Sequence, residues 1–133
     1  MALRVYVCLD DRNGMRFNGR RQSRDSRVFE DIRKGISGEL LIDPFSESIC
    51  RRAEIPYRVI EGPLPEDGDF FLEARDPREA AAADVIVIYR WGRHYPADAW
   101  WDLDLHAAGF SLVERSEFPG TSHERICKEV YAR

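Results

Sequence analysis

The sequence lacks both a long apolar run and an excess of positive charge. No stretch approaches the roughly 20 consecutive apolar residues of a membrane-spanning helix, which excludes that class of protein. Residues 3–6 do not begin a charged segment followed by an apolar one, so we expect no secretory signal and a cytoplasmic location. The net charge is −4 at pH 7, so no global basic field attracts nucleic acid or an anionic membrane.

Cysteine and histidine are also scarce, with three residues of each type. Cys8, Cys50 and Cys127 form no Cys-x-x-Cys motif and cannot all pair within the chain, so we expect reduced thiols. Cys8 and Cys127 stand in apolar strand patterns, which favours core packing over a nucleophile or a metal ligand. No spacing of histidine, cysteine and carboxylate is typical of a metal site, and we predict no bound metal.

The length of 133 residues and the apolar content of 44% suit one soluble α/β domain over residues 1–133. Alternation of apolar strands with capped helices predicts a mixed sheet with flanking helices. The predicted strands are 3–9, 39–43, 57–60, 69–73, 85–89, 110–117 and 125–131, and the predicted helices begin at Asp25 or Ser26, at Phe45 and at Asp76-Pro77. The last two strands alternate apolar and polar residues and predict a C-terminal antiparallel hairpin.

A long polar loop, residues 10–24, follows the first strand and ends in the run Arg20-Arg21-Gln22-Ser23-Arg24. This run can form an anion cradle, because guanidinium groups bind phosphate bidentately and the amide and hydroxyl groups complete the shell. The alternative is a solvated loop in which the arginines pair with acidic residues of the next helix, namely Asp25, Glu30 and Asp31. Asp25 itself is suited to cap that helix through its side-chain oxygen.

Cations alternate with aromatic residues after the strongest predicted strand, in the run Arg90-Trp91-Gly92-Arg93-His94-Tyr95. Such a mixture can stack a base or a pterin ring and neutralise a phosphate. The alternative is that these aromatics, with Trp100 and Trp101, cover the end of the sheet. A third interpretation makes the surface from Trp91 to Trp101 a site for a protein partner.

Several short motifs occur in a fixed order. In the N-terminal half they are Asp11-x-Asn13-Gly14 with Met15, then Asn18-Gly19, then Asp25 with Phe29 four residues on. In the C-terminal half they are Asp84-x-Ile86-x-Ile88, His94-Tyr95-Pro96, Glu117-Phe118, Ser122-His123 and Tyr131-x-Arg133. This order, over about half of the chain, resembles dihydrofolate reductase. The resemblance implies that family's mixed sheet and a helix on which Asp25 holds a pterin ring while Phe29 packs on it.

The cofactor side departs from that family's pattern. Asp43 stands where a basic residue contacts the cofactor phosphate, and Glu73 stands where a glycine pair approaches the pyrophosphate. Both carboxylates have the wrong sign for a phosphate. Tyr89 replaces a threonine that partners the acidic residue, and the arginines of residues 20–24 replace a proline-rich run. We therefore predict no NADPH and no other cofactor.

Over its whole length the chain is similar to a group of short bacterial proteins that share the patterns Asp-Asp-x-Asn-Gly-Met, Arg-Arg-Gln-Ser and Ser-His-Glu. Some of these proteins carry the label ribonuclease Z. That enzyme's metallo-β-lactamase fold needs a His-x-His-x-Asp-His zinc motif. The histidines of this chain, His94, His106 and His123, do not form one.

The leading hypothesis is a dihydrofolate reductase-like protein that is no reductase and binds a small anionic ligand, a nucleotide or a pterin. Its pocket is expected between the loop 10–25, the helix from Asp25 and the segment 89–96. The candidate ligand-binding residues are Asn13, Met15, Asn18, Arg20, Arg21, Gln22, Arg24, Phe29, Tyr89, Arg90 and Trp91.

Two other classes of function stay open. One is an enzyme, either a reductase with altered cofactor contacts that uses Asp25, or a metal-independent ribonuclease with His94 and His123 as acid and base. The other is a protein-interaction module. The sequence also allows a homo-oligomer.

Overall fold

The computed structural model describes residues 2–133 and alternates strands with helices along the chain. In chain order the elements are β1 (Leu3–Leu9), β2 (Gly14–Phe17), β3 (Arg20–Arg21), α1 (Ser26–Gly35), β4 (Leu40–Ile42), a 3-10 helix (Pro44–Ser46), α2 (Glu47–Ala53), β5 (Tyr57–Val59), β6 (Gly68–Phe71), a 3-10 helix (Pro77–Ala82), β7 (Val85–Arg90), β8 (Ala99–Trp100), β9 (Ser111–Phe118) and β10 (Ile126–Ala132). This order confirms the predicted α/β class.

Seven strands form one mixed sheet in the order β5-β4-β6-β1-β7-β10-β9. β1 pairs in parallel with β6 on one side and with β7 on the other. β10 pairs antiparallel with both β7 and β9, which confirms the predicted C-terminal hairpin. The carboxyl ends of β1, β6 and β7 therefore meet at one edge of the sheet, the edge at which open parallel sheets usually bind ligands.

Alternate side chains of β1 enter two separate cores, one on each face of the sheet. Val5 and Val7 belong to a core that is otherwise closed by loop residues such as Phe110. Tyr6 belongs to the other core, which it shares with Ile32 of α1 and with residues of α2. α1 and α2 cover this second face. α1 follows β1 and the β2–β3 hairpin, and α2 follows β4, so the N-terminal ends of both helices lie beside the carboxyl edge of the parallel strands.

The loop predicted over residues 10–24 contains a small antiparallel hairpin. β2 and β3 are joined by Asn18 and Gly19, which have φ of 53° and 69°. Two consecutive residues at positive φ form the turn that joins two-residue hairpins, and Asn-Gly is its preferred sequence. β8 pairs with the other edge of β2, so the segment that follows β7 also contains a strand.

Two predicted helices are tighter than expected. The helix predicted from Phe45 begins as a 3-10 turn at Pro44 and becomes α-helical only in α2. The helix predicted from Asp76 is 3-10 throughout, since a short connection between β6 and β7 leaves room for six helical residues. Among residues 2–133, none of the helices is long and apolar enough to cross a membrane.

Asp10 anchors the segment that leaves β1. Its carboxylate accepts backbone hydrogen bonds from Arg12 at 2.8 Å, Gly14 at 2.7 Å and Tyr95 at 3.0 Å, and a side-chain hydrogen bond from Gln22 at 2.9 Å. A Cβ atom at Gly14 would lie 2.5 Å from Asp10 Oδ2, so a larger residue does not fit. These contacts hold the β2–β3 hairpin and the segment after β7 against the end of β1.

Truncation of Ile88 tests the position of β7 at the centre of the sheet. Ile88 is fully buried, so Ile88→Ala is expected to lower the free energy of unfolding by about 2–5 kcal/mol. Leu112 on the edge strand β9 is 49% exposed, and Leu112→Ala is expected to change it by no more than about 0.5 kcal/mol. Urea denaturation of both variants measures the difference. Equal losses would contradict the assignment of β9 to the edge.

Candidate functional site

Asp25 lies at the start of α1 and binds the turn between β9 and β10. It is the N-cap of α1, with an extended backbone, and accepts the amide of Arg27 at 3.0 Å. The same carboxylate accepts the amide and hydroxyl of Thr121, both at 2.9 Å, and the amide of Ser122 at 2.8 Å. His123 Nδ1 lies 3.0 Å from the second carboxylate oxygen. The predicted N-cap is confirmed, and the carboxylate is buried as well.

The pKa of Asp25 follows from this environment. Burial alone would raise it, but the hydrogen bonds from Thr121, His123 and Ser122 hold it well below the ordinary value of 3.8. The side chain is 0% exposed, so both oxygens are engaged inside the protein. Asp25 therefore stays ionised at neutral pH, with both carboxylate oxygens hydrogen-bonded inside the protein.

His123 is the second buried polar residue of the site, 4% exposed. Because a carboxylate can only accept, His123 Nδ1 carries the proton that points to Asp25, and Nε2 is left as the acceptor in the neutral ring. Two hydroxyl groups reach Nε2, that of Ser23 at 3.0 Å and that of Tyr95 at 3.1 Å. Trp91 stacks on the imidazole, with ring centroids 4.6 Å apart, and fixes its plane.

Three adjoining depressions surround Arg24 at the carboxyl edge of the sheet, and we call them together the arginine cleft. An enclosed part lies over Phe29, Ser23 and Trp91. A groove of about 490 Å³ opens beside Arg20 and Phe45. A second groove of about 260 Å³ lies between α1 and α2. The arginine cleft thus joins α1, α2, the β2–β3 hairpin and the Asp25 network.

The carboxylates of the cofactor side are paired with arginines. Glu73 accepts two hydrogen bonds of 2.8 Å from Arg21 and one of 2.7 Å from Ser46. Asp43 lies 2.9 Å from Arg75 in a second ion pair. The predicted pairing of the loop arginines with Asp25, Glu30 or Asp31 is therefore wrong for Arg21. Its partner is Glu73, which lies just after the end of β6.

The remaining arginines of the cleft have no such partner. Among residues 2–133, no carboxylate lies within ion-pair distance of Arg20, Arg24 or Arg52. Arg24 lines all three parts of the arginine cleft, and Arg52 lines the groove between α1 and α2. The cleft therefore carries a local positive charge in a chain whose net charge is −4.

Structural comparison identifies the fold. Over 99% of this chain and 96% of the other, the structure is similar to dihydrofolate reductase from Enterococcus faecalis complexed with NADP(H) and RAB-propyl, with a TM-score of 0.65 and 12% identity. The chain has a dihydrofolate reductase-like fold. This confirms the fold predicted from the motif order. No family model matches the sequence, and no curated protein matches it significantly.

The dihydrofolate reductase-like fold brings most of the predicted ligand-binding residues to the arginine cleft. Those that line it are Met15, Arg20, Arg21, Gln22, Arg24, Phe29 and Trp91. Gln22 Oε1 is buried and has no hydrogen-bond partner among residues 2–133.

Four other predicted residues are engaged elsewhere. Asn13 accepts a hydrogen bond of 2.8 Å from Arg90, which also pairs with Glu129 at 3.1 Å. Asn18 forms the exposed turn of the hairpin. Tyr89 is fully buried and donates to Asp31 at 2.6 Å, and it does not line the cleft. Burial, together with Asp31, raises the pKa of Tyr89.

The two histidines proposed as an acid–base pair lie apart. His94 is exposed and lines a separate depression with Asp10 and Trp100, whereas His123 is buried against Trp91. The segment from 91 to 101 is not a continuous aromatic surface either, since Trp91 and Trp101 are 3% and 5% exposed and only Trp100 is open, at 52%. Among residues 2–133, no cluster of metal-ligating side chains forms.

Some residues of the site were not predicted. Phe45 and Ile49 line the cleft because the apolar face of the predicted second helix turns toward α1. Arg52 could have been predicted to lie in the cleft, because residues three positions apart on a helix, such as Ile49 and Arg52, share one face. The contact of Ser23 with His123 had no sequence signal, since it joins residues 100 positions apart.

A methyl group at Gly120 is expected to disturb the Asp25 network. Its Cβ atom would lie 2.5 Å from Asp25 Oδ2 and 2.8 Å from the His123 carbonyl oxygen. We expect Gly120→Ala to lower the free energy of unfolding by about 1–3 kcal/mol, the usual cost of overpacking. Gly38→Ala is the matched control, because nothing lies within 4 Å of its added Cβ. Thermal unfolding compares the two variants, and equal melting temperatures would contradict the described network.

Acid denaturation tests the charge on Asp25. Because its folded pKa lies below the unfolded value near 3.8, the ionised carboxylate stabilises the fold above that pH, and this stabilisation is lost as the pH falls below it. Asp25→Asn is expected to lower stability at pH 7 and to flatten the fall in stability between pH 5 and 2, as a series of urea titrations would record. The exposed Asp67→Asn variant should keep the wild-type slope. An unchanged slope in Asp25→Asn would refute the assignment.

Proposed function

We propose that the protein binds a small anionic molecule of nucleotide or pterin size in the arginine cleft and does not act as a reductase. The observation that carries this proposal is the set of three cleft arginines, Arg20, Arg24 and Arg52, for which residues 2–133 supply no carboxylate partner. Neighbouring guanidinium groups repel one another, and an anion between them removes that repulsion and accepts bidentate hydrogen bonds.

The apolar walls of the cleft supply the second part of the binding surface. Phe29 and Ile49 line both the enclosed part and the groove between α1 and α2. The guanidinium carbon of Arg21 lies over the ring of Phe45, 5.3 Å from the ring centroid. A ligand with a flat ring and an anionic group matches this combination, since the ring packs on apolar side chains while the arginines bind the charge.

The residues on the cofactor side do not fit a dinucleotide phosphate. Glu73 and Asp43 stand where the resemblance expects groups that approach phosphates, and each carboxylate is bound to an arginine. Arg21 and Arg75 are thereby neutralised and cannot also serve a phosphate without losing their partners. This pairing supports a binding function without NADPH.

A ligand screen tests the proposal. We expect phosphate, pyrophosphate, AMP, ATP or folate to raise the melting temperature, because a ligand at 100 times its dissociation constant stabilises the folded state by about 2.7 kcal/mol. Differential scanning fluorimetry at about 0.15 M salt limits non-specific charge effects. NADPH is included as the probe for a reductase, and NADPH oxidation on addition of dihydrofolate would contradict the proposal.

Matched arginine variants locate the binding site. Arg24→Ala should weaken binding of the best probe by about tenfold or more, the loss expected for a charge-assisted hydrogen bond. Arg93→Ala removes the same charge from an exposed residue that lines a different depression, and should leave the affinity unchanged. The absence of stabilisation by every probe, or equal losses in both variants, would overturn the proposal.

A further inference from the structure

Ser23, His123 and Asp25 form a continuous hydrogen-bonded line that ends at the arginine cleft. The distances are 3.0 Å from Ser23 Oγ to His123 Nε2 and 3.0 Å from His123 Nδ1 to Asp25 Oδ2. The first residue is half-buried, whereas the other two are buried. The order from cleft to interior is therefore hydroxyl, imidazole, ionised carboxylate.

We infer that Ser23 is the nucleophile of an acyl-transfer site in which His123 is the general base and Asp25 positions the imidazole. The inference goes beyond ligand binding, and only its substrate class, an ester or thioester that carries an anionic group, rests on the proposed function. Nucleophile, base and orienting carboxylate stand within hydrogen-bond reach, which is the arrangement that activates a serine.

Two features distinguish this arrangement from a set of hydrogen bonds that only stabilises the fold. Asp25 already caps α1 and holds the 121–122 turn through other groups, so the fold does not need the imidazole to satisfy the carboxylate. Ser23 is half-buried and lines both the enclosed part of the cleft and the open groove beside Arg20, so the residue borders the space that a ligand would occupy.

The chemical step balances without any further reactant. Ser23 Oγ forms a bond to the ester carbonyl carbon as its proton moves to His123 Nε2. The tetrahedral intermediate expels the alcohol oxygen or thiol sulfur, which takes that proton, and leaves an acyl-serine. Water then attacks the acyl carbon, gives a proton to Nε2, and Ser23 Oγ leaves and recovers it. The guanidinium group of Arg24 lines the same cavity and provides positive charge toward the oxyanion.

Tyr95 defines a useful variant, because its hydroxyl lies 3.1 Å from the same Nε2 atom. The neutral imidazole has one lone pair there, so the two hydroxyl groups compete for it. Tyr95→Phe leaves Ser23 as the sole donor among the described partners of Nε2. The variant is therefore expected to react faster than the wild type.

Covalent labelling of the full chain tests the nucleophile. Phenylmethylsulfonyl fluoride, which is neutral and needs no arginine, is expected to label Ser23 alone, as located by peptide mass spectrometry. Ser48, an exposed serine that lines the same groove, is the internal control and should stay unlabelled. Ser23→Ala should abolish the label. No label on wild-type protein, or equal labelling of Ser23 and Ser48, would overturn the inference.

The roles of His123 and Asp25 are tested by labelling rate in variants whose folding is checked by thermal unfolding. His123→Gln and Asp25→Asn should each slow the labelling of Ser23 by about 100-fold or more, the usual contribution of a general base. A folded His123→Gln or Asp25→Asn variant that labels at the wild-type rate would refute the corresponding role. If neither variant folds, two measurements still test the assignment of the nucleophile. These are the labelling of Ser23 relative to Ser48 in the wild type and the labelling rate of the Tyr95→Phe variant.

Hydrolysis of two esters separates the catalytic group from the anion site. p-Nitrophenyl acetate is neutral, and mono-p-nitrophenyl succinate carries a carboxylate. We expect Ser23→Ala to lose both activities, and Arg24→Ala to lose the preference for the succinate ester. Asp25→Asn should lower kcat without a matching change in KM for the succinate ester. Equal turnover of both esters by the wild type would contradict the anionic substrate class, whereas the assignment of Ser23 as the nucleophile would stand.

Discussion

The buried carboxylate of Asp25 joins the first half of the chain to the last hairpin. Its partners at Thr121, Ser122 and His123 are 96 to 98 positions away along the sequence. An ionised carboxylate inside a protein is costly unless hydrogen bonds replace its water. The start of α1, the β9–β10 turn and the orientation of the imidazole are therefore fixed by the same charge, and the position of Ser23 against His123 depends on it.

The electrostatic character of the cleft depends on which of its arginines form an ion pair with a carboxylate. Arg21 is held by Glu73 and packs on Phe45, so it helps to build the wall rather than the binding charge. Arg24, a few residues on, keeps its charge open to solvent. The same short run of sequence thus supplies both structure and potential ligand contacts.

Local patterns in the sequence predicted the fold better than the site. The uninterrupted apolar runs of β1 and β7 and the apolar face of α1 need no distant information, and all three predictions were confirmed. The Asn18-Gly19 pair contained the signal for a hairpin, although the prediction for residues 10–24 was a single long loop. Glu73 was interpreted as a repelling charge because its partner Arg21 is 52 positions away, and the burial of His123 likewise depends on a distant contact.

The long reach of the Asp25 contacts also affects how the protein is made. Synthesis runs from the N-terminus, so α1 emerges well before Thr121, Ser122 and His123 exist. Until then the carboxylate is solvated, and β7 lacks the antiparallel neighbour β10 that comes last in the chain. Completion of the native arrangement is therefore a late event that waits for the final strand. A chain released before residue 121 lacks the partners of the Asp25 carboxylate. Premature termination therefore leaves a product without the contacts between the start of α1 and the β9–β10 turn.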